Sequence, residues 1–334
     1  MLRLPPFTLH RPHTLAEAAR ILAGEGAAAG APVRAVAGGT DLWPNMKRRH
    51  QKASQVVSLN GIAPLRGISN GDGVRLGATA TLTEVAAHPL VRAKYPDLAK
   101  AVTSISAPVL RNMGTIGGNV CVDTRCTYYN QNEEWRRAID YCLKEEGHTC
   151  WVAPGSPRCW AISASDSAPM LLALGARVRL VSAQPGIVER VEPLEVLYQD
   201  DGIAYLTKRP DELVAEILVP EESATGHCRT GFEKLRRRGS IDFAVLSVAA
   251  AVWTDAAGVV TRARLRLGAV ASYPVPCVES EQALEGQALG EETIAAAAKA
   301  ARRAATPMDN TDFQAQWRGV MVERTVERVL RRLM

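Results

Sequence analysis

Apolar residues along this chain repeat with two periods, and the changes between them mark the elements. Leu15, Ala18, Ala19 and Leu22 recur at helical spacing. Thr14-Leu15-Ala16-Glu17 at their head has the form of a capping box, in which hydroxyl and carboxylate satisfy orphan N–H groups. The pattern predicts a helix ended by the glycine-bounded stretch 24–30. Residues 32–37 then predict a short strand running into Gly38-Gly39-Thr40-Asp41-Leu42. Strands follow at 56–59 and 74–78, a second helix start at Thr81-Leu82-Thr83-Glu84, and a helix of small residues at 98–106. Arg111-Asn112-Met113 leads into a second glycine-rich turn, Gly114-Thr115-Ile116-Gly117-Gly118-Asn119.

Beyond residue 160, Asp166-Ser167-Ala168-Pro169 precedes an apolar helix at 170–174, and 177–181 alternates as a strand. Segments 187–191, 203–206 and 213–217 read as short pieces of a mixed sheet. The polar, turn-rich stretch 220–226 is the best domain boundary. After it, 244–252 and 262–270 predict paired strands, and 294–304 and 321–333 predict helices. No internal repeat or low-complexity linker is present.

With 334 residues, 47% of them hydrophobic, the chain can bury the cores of two or three domains. No apolar run approaches the roughly 18 residues of a membrane span, and the N-terminus lacks a secretory signal layout. The expectation is a cytoplasmic protein without membrane insertion. A net charge of +5, spread along the chain, gives nucleic-acid binding no support. The cysteine count is odd, seven, and five of them crowd into one segment: Cys121, Cys126, Cys142, Cys150 and Cys159. That distribution argues against a secreted disulfide framework and for thiolates on a metal in a reducing compartment.

The two glycine-rich turns change the picture further. Glycines after a strand let backbone N–H groups converge on an anion, although 38–42 alone also reads as a plain tight turn. It has neither the Lys-Ser/Thr ending of a P-loop nor a dinucleotide Gly-x-Gly-x-x-Gly spacing, which disfavours an ATPase and a nicotinamide Rossmann domain. Two such turns about 75 residues apart point to one extended diphosphate cofactor held between subdomains. Cys126, Cys142, Cys150 and Cys159 are separated by 15, 7 and 8 residues, without the close pairs of zinc fingers or ferredoxin runs. A [4Fe-4S] cube nevertheless needs only four sulfurs converging in space. The alternatives are buried free cysteines and a structural zinc site, and spacing does not settle which four of the five bind. The segment is too polar for a core strand, since it holds 127–137 with Asn, Gln, Glu, Arg, Tyr and Trp. Cys228 and Cys277 are isolated and read as structural. His148 and His227 have no partner at ligand spacing. Glu133 and Glu134 beside Arg136 and Arg137 read as a solvated, salt-bridged face, and no catalytic residue can be nominated.

Ala37-Gly38-Gly39-Thr40-Asp41-Leu42, Arg111-Asn112-Met113-Gly114-Thr115-Ile116-Gly117-Gly118-Asn119, and Phe232-Glu233-Lys234-Leu235 with Arg237, Ser240 and Asp242 resemble a known family. It is the FAD-binding medium subunit of xanthine oxidase-type molybdenum hydroxylases. The region from Trp317-Arg318 to Leu330 is similar to that family's closing helix, so the likeness covers essentially the whole chain. About forty residues separate the Gly-Gly-Asn turn from the Asp-x-x-Pro helix, where most of the family has almost none. That insert resembles the extra [4Fe-4S] loop of the 4-hydroxybenzoyl-CoA reductase β subunit, through Asp123-Thr124-Arg125-Cys126-Thr127-Tyr128-Tyr129-Asn130-Gln131, Trp135-Arg136, Tyr141-Cys142-Leu143-Lys144 and Arg158-Cys159.

The resemblance implies an α+β chain, with an FAD-binding domain over 1–222 and a C-terminal domain over 227–334 of a small antiparallel sheet with helices. The first would divide into subdomains at 1–58 and 59–222, with an insert loop at 122–161. It implies FAD on Val36, Ala37, Gly38, Gly39, Thr40, Asp41 and Leu42 and on Thr115, Ile116, Gly117, Gly118 and Asn119, whose backbone N–H groups would hold the pyrophosphate. Asp123, Asp166 and Lys234 would contact other parts of the cofactor. Cys126, Cys142, Cys150 and Cys159 would ligate one [4Fe-4S] cluster and leave Cys121 free. The implied partners are a large subunit with molybdopterin cytosine dinucleotide and a small subunit with two [2Fe-2S] clusters, together a dimer of heterotrimers. Electrons from ferredoxin would enter at the [4Fe-4S] cluster, pass to FAD and continue to molybdenum, where a phenolic hydroxyl is reductively removed. The other reading open at this point is the same subunit serving an aldehyde, a purine or an N-heterocycle.

Overall fold

The computed structural model describes residues 2–26, 30–183 and 186–334. Its first layer is a small parallel sheet in the order β1-β3-β2, formed by β1 (Thr8–His10), β2 (Val33–Val36) and β3 (Gln55–Ser58). Helix α1 (Leu15–Leu22) turns Ala18, Ala19 and Leu22 inward, as its spacing requires. Thr14 Oγ1 accepts from Glu17 N at 3.1 Å, but the Glu17 carboxylate accepts from His13 N instead of Thr14 N, so the box is shifted by one residue. The helix stops at Leu22, and Gly24 adopts a left-handed φ of 94°. Residues 27–29 of the expected terminator lie outside the described residues. Helix α2 (Leu42–Lys47) starts directly after the first glycine pair.

The middle of the chain builds a five-stranded antiparallel sheet, β4-β5-β8-β6-β7. Its strands are β4 (Ile68–Gly71), β5 (Gly73–Gly77), β6 (Arg177–Ser182), β7 (Val188–Pro193) and β8 (Leu213–Val219). Between β5 and β6 the chain runs through α3 (Leu82–Ala87), α4 (Pro89–Lys94), α5 (Pro96–Thr103), α6 (Pro108–Arg111), α7 (Ile116–Val120), α8 (Glu133–Ala138) and α9 (Ser167–Ala173). A full capping box, Thr81 with Glu84, starts α3. The expected sheet piece at 203–206 forms only an isolated bridge, Leu206 to Tyr198, because it lies in the turn before β8 instead of on the sheet.

The last layer is an antiparallel sheet, β12-β11-β10-β9, of β9 (Cys228–Leu235), β10 (Leu246–Thr254), β11 (Val260–Gly268) and β12 (Val275–Pro276). Helices α10 (Val278–Leu284), α11 (Glu291–Ala304) and α12 (Ala315–Arg331) cover one face. Nearly all of β10 is buried, which explains its unbroken apolar run. Ala249, Ala251 and Trp253 enter the core shared with α9, while Leu246, Val248, Ala250 and Val252 enter the core under the helices. This strand is the wall that joins the two domains.

Candidate functional site

The two glycine-rich turns meet. A Cβ on Gly38 would lie 1.8 Å from Met113 O and 2.9 Å from Gly114 Cα, so only glycine allows this contact. Gly39 sits at φ 70° against the Trp43 indole, again a position for glycine. Among the described residues, the backbone N–H groups of Gly38, Gly39, Thr40, Asp41 and Leu42 have no acceptor. The second turn is built differently, as the short helix α7 capped by Thr115. Its N–H groups are spent internally: Ile116 N on Ala80 O, Gly117 N on Ala78 O, Gly118 N on Thr115 Oγ1 and Asn119 N on Thr115 O. Gly117 lets α7 pack onto Ala78, to which a Cβ would come within 2.7 Å. The Asn119 amide oxygen accepts from Ser165 Oγ, Ser167 N and Ser167 Oγ, latching α7 to the start of α9.

The cysteine insert is closed at its base by a backbone bridge, Arg125 N to Ile162 O at 2.9 Å and Ile162 N to Arg125 O at 2.8 Å. Asn310 grips both of its ends: the backbone oxygen accepts from Thr127 N, and Nδ2 donates to Trp160 O at 2.6 Å. Arg318, fully buried, secures this strap by donating to Asn310 Oδ1 and to the carbonyls of Val245, Met308 and Ala269. Burial lowers the Arg318 guanidinium to about 10 against the smaller opposing pull of the Asp309 carboxylate. Inside the loop, Asp140 and Tyr141 both adopt left-handed φ, 59° and 57°, and turn the chain sharply into Cys142.

Cys126, Cys142, Cys150 and Cys159 are all buried and line one small cleft, with Tyr128, Tyr129, Lys144 and Trp151. Cys121 lies apart, against the main core. Backbone N–H groups face each sulfur: Tyr128 and Tyr129 toward Cys126, Lys144 toward Cys142, Trp160, Ala153 and Val152 toward Cys150, and Ala161 toward Cys159. Burial pushes Cys126 up to about 11 and raises Cys142. The Cys159 thiol donates to Cys150, which draws Cys150 down as the thiolate and raises Cys159. Gly202 closes one wall, since a Cβ there would lie 2.6 Å from Cys159 Sγ. Among the described residues, no three His, Cys, Asp or Glu groups close around a single ion.

Residues 5–222 match the family described as the FAD binding domain in molybdopterin dehydrogenase, and 230–333 match the CO dehydrogenase flavoprotein C-terminal domain. The chain belongs to the FAD-binding medium subunits of the xanthine oxidase/CO dehydrogenase family. The carbon monoxide dehydrogenase medium chain of Afipia carboxidovorans is 29% identical, over 96% of each chain. An aldehyde oxidoreductase FAD-binding subunit of Escherichia coli is 29% identical, over 80% of this chain and 82% of the relative. The solved carbon monoxide dehydrogenase of Hydrogenophaga pseudoflava superposes with a TM-score of 0.79 at 26% identity, covering 98% of this chain and 97% of that one. The two-domain α+β architecture is that of the family.

This FAD-binding subunit ties its first glycine arm to its cysteine loop with buried and half-buried charges. Asp41 accepts from Arg125 and from Asn45 Nδ2, and burial raises its carboxyl against the pull of Arg125. Burial would also raise Asp123, but the Lys144 ammonium at 2.8 Å and Gln51 Nε2 hold it below the usual range. Asp166 and Lys234 form a buried pair at 2.7 Å that crosses from α9 to β9, and burial raises the Asp166 carboxyl. Lys234 also donates to Ser104 O and Asp242 O. Asp123, Asp166 and Lys234, nominated as flavin contacts, are therefore each already held by a protein partner.

One surface expectation is overturned. Arg137 and Glu133 do form an exposed pair at 3.3 Å, but Arg136 is only 1% exposed. It donates twice to Glu145, at 2.6 and 3.0 Å, and to the carbonyls of Gln131 and Arg48. Arg136 and Arg137 sit on different faces of α8, so adjacent arginines have opposite roles. No helix among the described residues is long and apolar enough to cross a membrane.

Proposed function

We propose that this chain is the flavin-carrying electron-transfer subunit of a molybdenum dehydrogenase complex, and that its insert adds an iron–sulfur cluster. Membership in the family carries the flavin part. The free N–H groups of 38–42 are the residues that would face the FAD pyrophosphate, with Val36 and Ala37 leading the strand into them. Thr115 to Asn119 would serve as a shaped wall, since most of their N–H groups are occupied. A flavin bound there supplies one- and two-electron exchange.

The four-thiol cleft is the observation that carries the cluster. Its donor set fits iron and sulfide: four buried sulfurs, no histidine and no carboxylate in the lining, and N–H groups facing each sulfur. A single zinc ion on the same four sulfurs would bind without sulfide, so acid-labile sulfide and zinc analysis separate the two. Cys126, Cys142, Cys150 and Cys159 would be the ligands of a [4Fe-4S] cluster, with Cys121 outside the set.

The names of the relatives, which act on carbon monoxide, aldehydes and nicotinate, favour a dehydrogenase of an aldehyde, purine or N-heterocycle in a complex with a molybdopterin-binding large subunit and a small iron–sulfur subunit. The cysteine insert favours a second reading, 4-hydroxybenzoyl-CoA reductase with ferredoxin as donor. Co-purifying the native complex and assaying it with aldehydes, purines, N-heterocycles and 4-hydroxybenzoyl-CoA decides between them. Turnover of the thioester with reduced ferredoxin selects the second reading. Oxidation of one of the other classes selects the first, and a chain that purifies without flavin or partner subunits overturns both.

A further inference from the structure

We infer that Lys144 is the charge-compensating residue of the four-thiol cleft and that, through Asp123, it couples that cleft electrostatically to the flavin arm. The inference rests on the cluster reading above. Lys144 lines the cleft, and its side chain is 6% exposed, as closed off from water as its partner Asp123 at 7%. The ammonium is fixed by three acceptors: Asp123 Oδ1 at 2.8 Å, Thr124 Oγ1 at 2.8 Å and Gly202 O at 2.6 Å. It lies 5.1 Å from the centre of the Tyr129 ring and 5.5 Å from that of Tyr205, which adds cation–π attraction. Its backbone N–H faces Cys142, so one residue offers the cleft both a hydrogen bond and a charge.

A four-thiolate cluster is an anion in each of its common oxidation levels, and net charge, hydrogen bonds to sulfur and burial set its potential. A buried cation at the cleft wall favours the reduced, more negative level. Lys144 is closed off from water, and one of its acceptors is the backbone carbonyl of Gly202, the residue that also closes on Cys159. On its other side Asp123 takes a hydrogen bond from Gln51 and lies beside Arg125, which holds Asp41 in the first glycine arm. An alternating series of charges, buried at Lys144, Asp123 and Arg125 and partly exposed at Asp41, thus runs from the sulfurs to the first glycine arm.

The test is a redox titration of the purified chain, reading the cluster by EPR and the flavin by absorbance, for the native protein and for Lys144→Met, Lys144→Arg and Asp123→Asn. Lys144→Met removes a positive charge, so both midpoints shift to more negative potential. Asp123→Asn removes a negative charge while keeping an acceptor near Lys144, so both shift to more positive potential. Lys144→Arg restores the native values. Opposite shifts from the two halves of one ion pair are not what mere loosening would give. If Lys144→Met fails to take up iron, the sign of the Asp123→Asn shift decides. Variants replete in iron with unmoved midpoints, or with shifts of the same sign, overturn the inference alone. Native protein without iron overturns the cluster reading and this inference with it.

Discussion

Replacing Arg136 by methionine removes the central bolt of the cysteine loop while keeping most of its apolar stem. The native guanidinium is 1% exposed and makes two hydrogen bonds to the Glu145 carboxylate and two to carbonyl oxygens. Glu145 is itself only 9% exposed, so it is left as a buried charge without its partner. Breaking one side of such a pair costs about 3–5 kcal/mol, and the stranded carbonyls of Gln131 and Arg48 add to the upper part of that range. Hydrogen exchange of the amides between 126 and 161 reads the local opening energy. At about 1.4 kcal/mol per factor of ten, protection should fall about 140- to 4,000-fold. Adding Glu145→Met removes the stranded carboxylate and should recover much of the loss, because apolar replacement of a whole buried pair is often neutral. A single variant with protection within about fivefold of native, or a double variant worse than the single, would show that the Arg136–Glu145 pair does not hold the loop closed.

Other outcomes follow from the same geometry. Gly202→Ala places a methyl 2.6 Å from Cys159 Sγ; overpacking of about 1–3 kcal/mol should lower iron content while leaving FAD content near native, measured on the same sample. Gly38→Ala should do the reverse, since its methyl drives the two arms apart at Met113 O, and flavin absorbance would be lost from a chain with native far-UV circular dichroism. Burial, with Arg136 nearby, lowers His50 to about 4. A histidine depressed in the folded state contributes stability above its unfolded value, about 6.5, and that contribution is lost as pH falls from there toward 4. Urea unfolding of the native chain should therefore weaken over that window by on the order of 2 kcal/mol more than His50→Phe does; equal slopes would contradict it.

The features legible in sequence are those fixed by neighbours along the chain. Thr81 with Glu84 caps α3 as its spacing requires, and the paired strands β10 and β11 lie within two residues of their expected bounds. The two glycine turns could be paired because glycine leaves a visible mark wherever backbones touch. Partners distant in sequence left no such mark. Nothing local distinguishes Arg136 from Arg137, since burial depends on Arg48 and Glu145 meeting on one face of α8. Asn310 and Arg318 look like an ordinary loop and helix until Thr127 and Trp160 arrive. Lys144 read as one residue of a motif, and its role depends on Asp123, Thr124 and Gly202 converging on it. Crowding nominated five cysteines, the family likeness set Cys121 aside, and the fold places Cys121 against the main core, away from the cleft.

One chain would hold a flavin and, directly beyond its second glycine arm, an iron–sulfur cluster on four thiols. Anaerobic purification followed by iron, acid-labile sulfide, zinc and flavin analysis tests it on a single sample. The expected result is one FAD with about four iron and four sulfide per chain, and loss of the iron but not the flavin in Cys142→Ser. A yellow protein free of iron, or one holding a single zinc and no sulfide, would contradict it.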